Sequence, residues 1–182
     1  MEYVYELSNL QEYNLNNVSQ YVEMLIYTTV SFFLPIILGH QQLVVGIAVN
    51  CLLITAALNL KGYKLLPVIL APSLGALSAG LIFGPFTIFL FYMIPFIWIG
   101  NSILVFSFKH FKLQLKKNYL MTLIIGAGAK SLFLFGCAFI LFELGIIPVM
   151  FLTAMGIIQL ITALGGGVAA YGLQNIKKRF AV

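Results

Sequence analysis

Lys130 stands near the middle of a long apolar run, 119–142, and three amide residues hold comparable places in other runs: Asn50 in 43–60, Asn101 in 86–108 and Gln159 in 148–171. A lysine at the centre of a bilayer costs about 2.5–3.5 kcal/mol on insertion scales, so such a side chain normally faces a protein interior and finds a partner. At about 1.5 Å of rise per residue, Lys130, Gln159 and Asn50 fall within a few ångströms of one midplane. Asn101 lies somewhat nearer one surface, with Trp98 on the same face one turn outward. No acidic residue shares that depth, since Glu143 closes its own run. The lysine must therefore be met by amide and carbonyl oxygens, by water or by an anionic ligand. Alternatively it is a neutral amine, because burial disfavours the charged form. Interhelical hydrogen bonding explains the three amides equally well, at about 0.6 kcal/mol per bond.

Other chemistry is sparse. His40, Gln41 and Gln42 form a polar connection that is either a solvated turn or a cap over a cavity. His110, among lysines, reads as a solvated base. Cys51 and Cys137 lie inside apolar runs, where a free thiol behaves as a small hydrophobe. There is no CxxC, HExxH, GxGxxG or phosphate-loop pattern, and two thiols fall short of an iron–sulfur ligand set. No metal, cofactor or catalytic group is expected, and the chain does not read as an enzyme.

The elements that position these residues follow from composition. Of the 182 residues 62% are hydrophobic and 8% charged, against about a quarter charged in soluble domains, so the solvent of this chain is lipid. Six continuously apolar runs predict an all-α, polytopic bundle of transmembrane helices: 22–38, 43–60, 65–83, 86–108, 119–142 and 148–171. The first two are short for the roughly 20 residues a span needs. Membrane strands are disfavoured because the runs do not alternate. Connections at 39–42, 61–64, 84–85, 109–118 and 143–147 are short enough to make consecutive helices antiparallel neighbours, with Gly84–Pro85 a turn signal.

The domain reading is a short N-terminal cytoplasmic segment (1–21), the membrane domain (22–173) and a basic cytoplasmic tail (174–182). Residues 1–20 carry Glu2, Glu6 and Glu12 and no base, the reverse of a signal peptide. Lysines at 61 and 64, at 109, 112, 116 and 117, and the group Lys177, Lys178 and Arg179 follow alternate runs, which places both termini in the cytoplasm. The net charge of +5 thus marks membrane anchors, and nucleic acid is not an expected partner.

Pro35, Pro72 and Pro95 interrupt runs and free backbone carbonyls. Pro95, just outward of Trp98 and Asn101, would open a cavity on the outer side of the polar cluster. Small residues gather at 73–80 and 165–170, suited to close helix contact within the bundle or with a partner.

Six short spans with both ends inside resemble the substrate-binding S components of energy-coupling factor (ECF) transporters. The segments VVGIAVNCLLITAAL, MIPFIWIGNSILVF and QLITALGGGVAAY look like a poorly characterised S-component-like group, and the likeness runs from about residue 34 onward. The resemblance implies a multi-pass protein of a prokaryotic plasma membrane that captures a vitamin, a nucleobase-like compound or a metal ion from outside. It implies docking on a transmembrane T component driven by two ATPases. Carried onto this chain, the ligand groups would be His40, Gln41 and Gln42 in the loop, with Trp98, Asn101, Lys130 and Gln159 in the bundle; Asn50 joins them by its depth. The first run, MLIYTTVSFFLPIIL, departs from the family in lacking alanine-spaced small residues for docking. The rival reading is a non-catalytic scaffold of a larger membrane complex, its polar residues serving only to fix helix packing.

Overall fold

The computed structural model describes residues 2–39, 41–80 and 87–180. His40 and the Gly84–Pro85 link lie outside the described residues. The protein is all-α: α1 (Glu2–Ser8), α2 (Asn17–Leu38), α3 (Gln42–Asn59), α4 (Leu65–Ala79) after a 3₁₀ turn at Gly62–Lys64, α5 (Thr87–Ser107), α6 (Tyr119–Glu143), α7 (Met150–Met155) and α8 (Ile157–Phe180). Six helical segments are long and apolar enough to cross a membrane.

Local chemistry explains where these helices begin. The Asn16 side chain accepts a hydrogen bond from the Ser19 N–H at 2.7 Å, so α2 starts before its apolar stretch and reaches 22 residues, enough for a full span. Asn118 does the same for α6, accepting from the Leu120 N–H at 2.9 Å.

Two expectations about continuity are corrected. The connection expected at 109–118 is largely helical, because α5 continues as a π-helix over Phe108–Gln114. The wider turn swings Lys109 inward, where it is fully buried and donates to the Leu60 carbonyl at 2.6 Å and also to that of Leu10. The sixth run, expected as one helix, is broken between α7 and α8 at Gly156 (φ −95°, ψ −99°). A Cβ there would stand 2.8 Å from the Leu152 carbonyl oxygen and 3.0 Å from the Phe135 ring. Ser131 on α6 donates to the Gly156 carbonyl at 2.7 Å, holding the break in place.

Packing rests on the small residues, and it is internal to the bundle. The most extensive interface joins α3 and α8. There a Cβ on Gly166 would lie 2.6 Å from the Asn50 Cβ and 2.7 Å from the Cys51 nitrogen, while one on Gly46 would lie 2.7 Å from Thr162. A Cβ on Gly75 of α4 would meet the Phe32 carbonyl oxygen of α2 at 2.1 Å. In lipid, helices associate through such close approach.

The lysine-bearing end is tied to both termini. Glu12 donates its backbone N–H to the Leu58 carbonyl at 2.7 Å, and Gln11 donates to that of Asn59 at 3.2 Å. His110, expected as a solvated base, is hydrogen-bonded to the Tyr3 hydroxyl at 2.8 Å. From the other terminus, Lys178 pairs with Glu12 at 3.4 Å and Lys177 with Glu23. The Glu23 carboxylate also accepts from Tyr27 at 2.8 Å and Asn59 at 3.0 Å.

Gly166→Ala should lower stability by about 1–3 kcal/mol, as overpacking does. Gly172→Ala, on the same helix with nothing within 4 Å of its added Cβ, should be neutral or stabilising by up to about 1 kcal/mol. Unfolding of both variants in the same detergent checks this; an equal response would refute the close α3–α8 contact.

Candidate functional site

Lys130 is 2% exposed and projects from α6 towards α3 and α5. Its ammonium donates to Asn50 Oδ1 at 2.6 Å and to Asn101 Oδ1 at 2.9 Å. Both amides are turned to present oxygen to it. Asn50 Nδ2 donates to the Gly46 carbonyl at 2.9 Å and to Thr162 Oγ1 at 3.2 Å, and Asn101 Nδ2 donates to the Ile69 carbonyl at 3.1 Å. Rotating either amide by half a turn would face its N–H groups against the lysine and turn its oxygen against these acceptors. The cluster thereby links α3, α4, α5, α6 and α8 around one nitrogen. None of the chain's five glutamates pairs with Lys130: the ion pairs among the described residues are Lys177–Glu23 and Lys178–Glu12.

A cavity of about 110 Å³ adjoins this cluster. Lys130, Asn50, Asn101, Gln42, Gln159 and Thr162 supply its polar lining, together with Ser73, and residues such as Val49, Ile97 and Met155 its apolar walls. The two hydroxyls are already engaged. Thr162 donates to the Gln159 carbonyl at 3.2 Å and accepts from Asn50. Ser73 donates to the Leu70 carbonyl at 3.0 Å and accepts from Trp98 Nε1 at 2.7 Å. The side-chain amides of Gln42 and Gln159 are different. They make no hydrogen bond within the protein among the described residues. In its charged form Lys130 has three donors, of which two are used on asparagines. The arrangement can thus offer a guest one ammonium N–H, two amide donor–acceptor groups and an apolar wall.

The structure brings together Asn50, Asn101, Lys130, Gln159 and Gln42. It does not bring Trp98 or Gln41 to the cavity. Trp98 packs against the core around Leu104 and reaches the cavity only through Ser73, and Gln41 is exposed at the start of α3. The proline expectation is also corrected. Pro95 is on the exposed side of α5, whose residues 90, 97 and 101 face inward at helical spacing, and the prolines at the cavity are Pro35 and Pro72. Sequence reasoning missed Thr162 and Ser73, whose hydroxyls resemble any others within apolar runs. A threonine three residues beyond Gln159 was the available signal for the first.

No family model, no curated protein and no solved structure matches the chain significantly.

Asn101→Leu should cost about 1–3 kcal/mol in an otherwise unaltered protein, since it strips an oxygen from a buried ammonium. In a Lys130→Met background the same change should cost well under half as much. A double-mutant cycle on unfolding in detergent measures the difference; additive losses would mean that the two side chains do not interact.

Proposed function

We propose that this chain is a membrane-embedded solute-binding subunit, which receives a small anionic or carbonyl-bearing molecule at the Lys130 cluster. The observation that carries the reading is the cavity itself, where a lysine without a carboxylate partner adjoins two glutamine amides that have no partner among the described residues. Satisfied helix glue does not require unpaired amides at a void. Polar groups converging on a largely apolar pocket are the usual form of a small-molecule site.

Size narrows the ligand. The cavity, at about 110 Å³, is smaller than the roughly 150 Å³ that admits benzene and well under the ~300–1,000 Å³ of drug-sized sites. A carboxylate or amide of a few heavy atoms fits the bundle as it stands. A vitamin-sized guest requires the helices to separate, and the break at Gly156 beside the cavity residues Met155 and Ile158 is the natural place.

This is the role expected of a substrate-capture subunit of an ECF-type importer in the plasma membrane, with the lysine-bearing end cytoplasmic and a T component with its ATPases supplying the energy. The fold supports that assignment in its six spans and in the gathering of Lys61, Lys64 and Lys109 with both termini at one end. The scaffold reading is favoured by one observation, the direct bonding of Lys130 to Asn50 and Asn101.

Lys130→Met keeps the unbranched stem and forfeits two interhelical bonds, about 1 kcal/mol together, so the variant should insert and fold. Native mass spectrometry of purified protein should show a small co-purifying molecule, absent in Lys130→Met and reduced about tenfold in Gln159→Leu. A bound species retained in both variants, or none in the unaltered protein alongside a stoichiometric membrane partner, would replace solute capture with the scaffold role.

A further inference from the structure

A recess larger than the Lys130 cavity lies elsewhere among the described residues. It is a groove of about 1000 Å³ at the lysine-bearing end, between α1 and the 3₁₀ turn that precedes α4. Its lining changes character along its length. Lys61 and Lys64 stand at the turn, Tyr5 and Tyr63 flank them, and Leu66 and Phe106 continue onto the membrane-facing helices. Tyr5, Tyr63 and Leu66 are 70%, 64% and 55% exposed, so these groups are presented outward. Tyrosines beside lysines mark the headgroup level of a bilayer, and the aliphatic and aromatic carbons beyond them mark the start of the acyl region.

The two lysines have complementary parts. Lys64 is 6% exposed and held by the amide oxygens of Asn17 at 3.1 Å and Gln20 at 3.2 Å, with its ammonium 4.8 Å from the Tyr21 ring centre. It is fixed in place, and it has no carboxylate partner among the described residues. Lys61 makes no hydrogen bond or ion pair among the described residues. It lies close enough to the buried Lys109 for their charges to interact. Against Lys61 and Lys64 the groove holds one acid, Glu2. A corner with unneutralised positive charge, opening onto an apolar trough at headgroup depth, calls for an anion carrying hydrocarbon.

We propose that this groove seats an anionic phospholipid of the adjacent leaflet, its phosphate at Lys61 and Lys64 and the head of an acyl chain along Leu66 and Phe106. The site is independent of the Lys130 cavity and of any solute found there. α1 forms one wall, so bound lipid also pins the N-terminal helix onto the bundle. Lys61 is the adjustable contact and Lys64 the preset one, since two amides already fix the latter.

The test titrates the purified full-length protein in detergent with phosphatidylglycerol, phosphatidylcholine or inorganic phosphate, and counts bound lipid by native mass spectrometry. Lys61→Gln should weaken phosphatidylglycerol binding about fivefold, the scale of one lysine at an anionic surface. Lys61→Arg should preserve it, and Lys117→Gln, which removes an exposed charge outside the groove, should change it less than twofold. Equal losses in Lys61→Gln and Lys117→Gln would overturn the site in favour of a diffuse basic surface. Phosphatidylcholine binding as well as phosphatidylglycerol would overturn it in favour of a purely apolar groove. Competition by millimolar inorganic phosphate would overturn the lipid and assign a soluble anion.

Discussion

Everything near the midplane of this bundle is arranged around the need of one ammonium for oxygen. A lysine placed among apolar helices is costly until its N–H groups are met, and the helices themselves spend their carbonyls on their own turns. Asn50 and Asn101 resolve this, and each is aimed by a second tier: Gly46 and Thr162 for the first, the Ile69 carbonyl for the second. That second tier needs close helix approach. Thr162 reaches Asn50 only because Gly46 and Gly166 let α8 lie against α3. The charge and the glycine contacts therefore form one structure, in which loosening the backbone packing misdirects the amide that satisfies the lysine.

The cavity is a by-product of the same geometry. Pro35 and Pro72 line it on α2 and α4, and the interruption at Gly156 leaves Met155 and Ile158 on its rim. Proline and a broken helix both remove regular turns that would otherwise fill space and pair carbonyls. The described residues thus combine a rigid polar floor with walls built from irregular helix.

Much of this was legible in the sequence, for physical reasons that differ by residue. Apolar run length alone gives the six spans, because lipid enforces one length scale on every helix. Depth counting brings Asn50, Gln159 and Lys130 to one level, because rise per residue is nearly constant. Azimuth is harder. Trp98 was placed at the right depth, yet it points to Ser73 and the core, and Pro95 turns outward. Continuity was least legible. Gly156 reads like any other small residue in an apolar run, since its role depends on the Phe135 ring and the Leu152 carbonyl opposite it. Lys109 reads as one of a group of membrane-anchor lysines because a π-turn, which rotates it inward, leaves no period of its own in so short a stretch.

Lys109 has a bearing on the order in which the chain comes together. Residues 2–12 precede in the chain everything they fasten to: Leu58 and Asn59 receive Glu12 and Gln11, Lys109 grips the Leu10 carbonyl, Tyr3 meets His110, and Lys178 reaches Glu12. That stretch therefore cannot make its full set of contacts until α5 and the end of α8 are in place. Its complete docking requires helices from both halves of the chain, so the two ends of the sequence are fastened at one place.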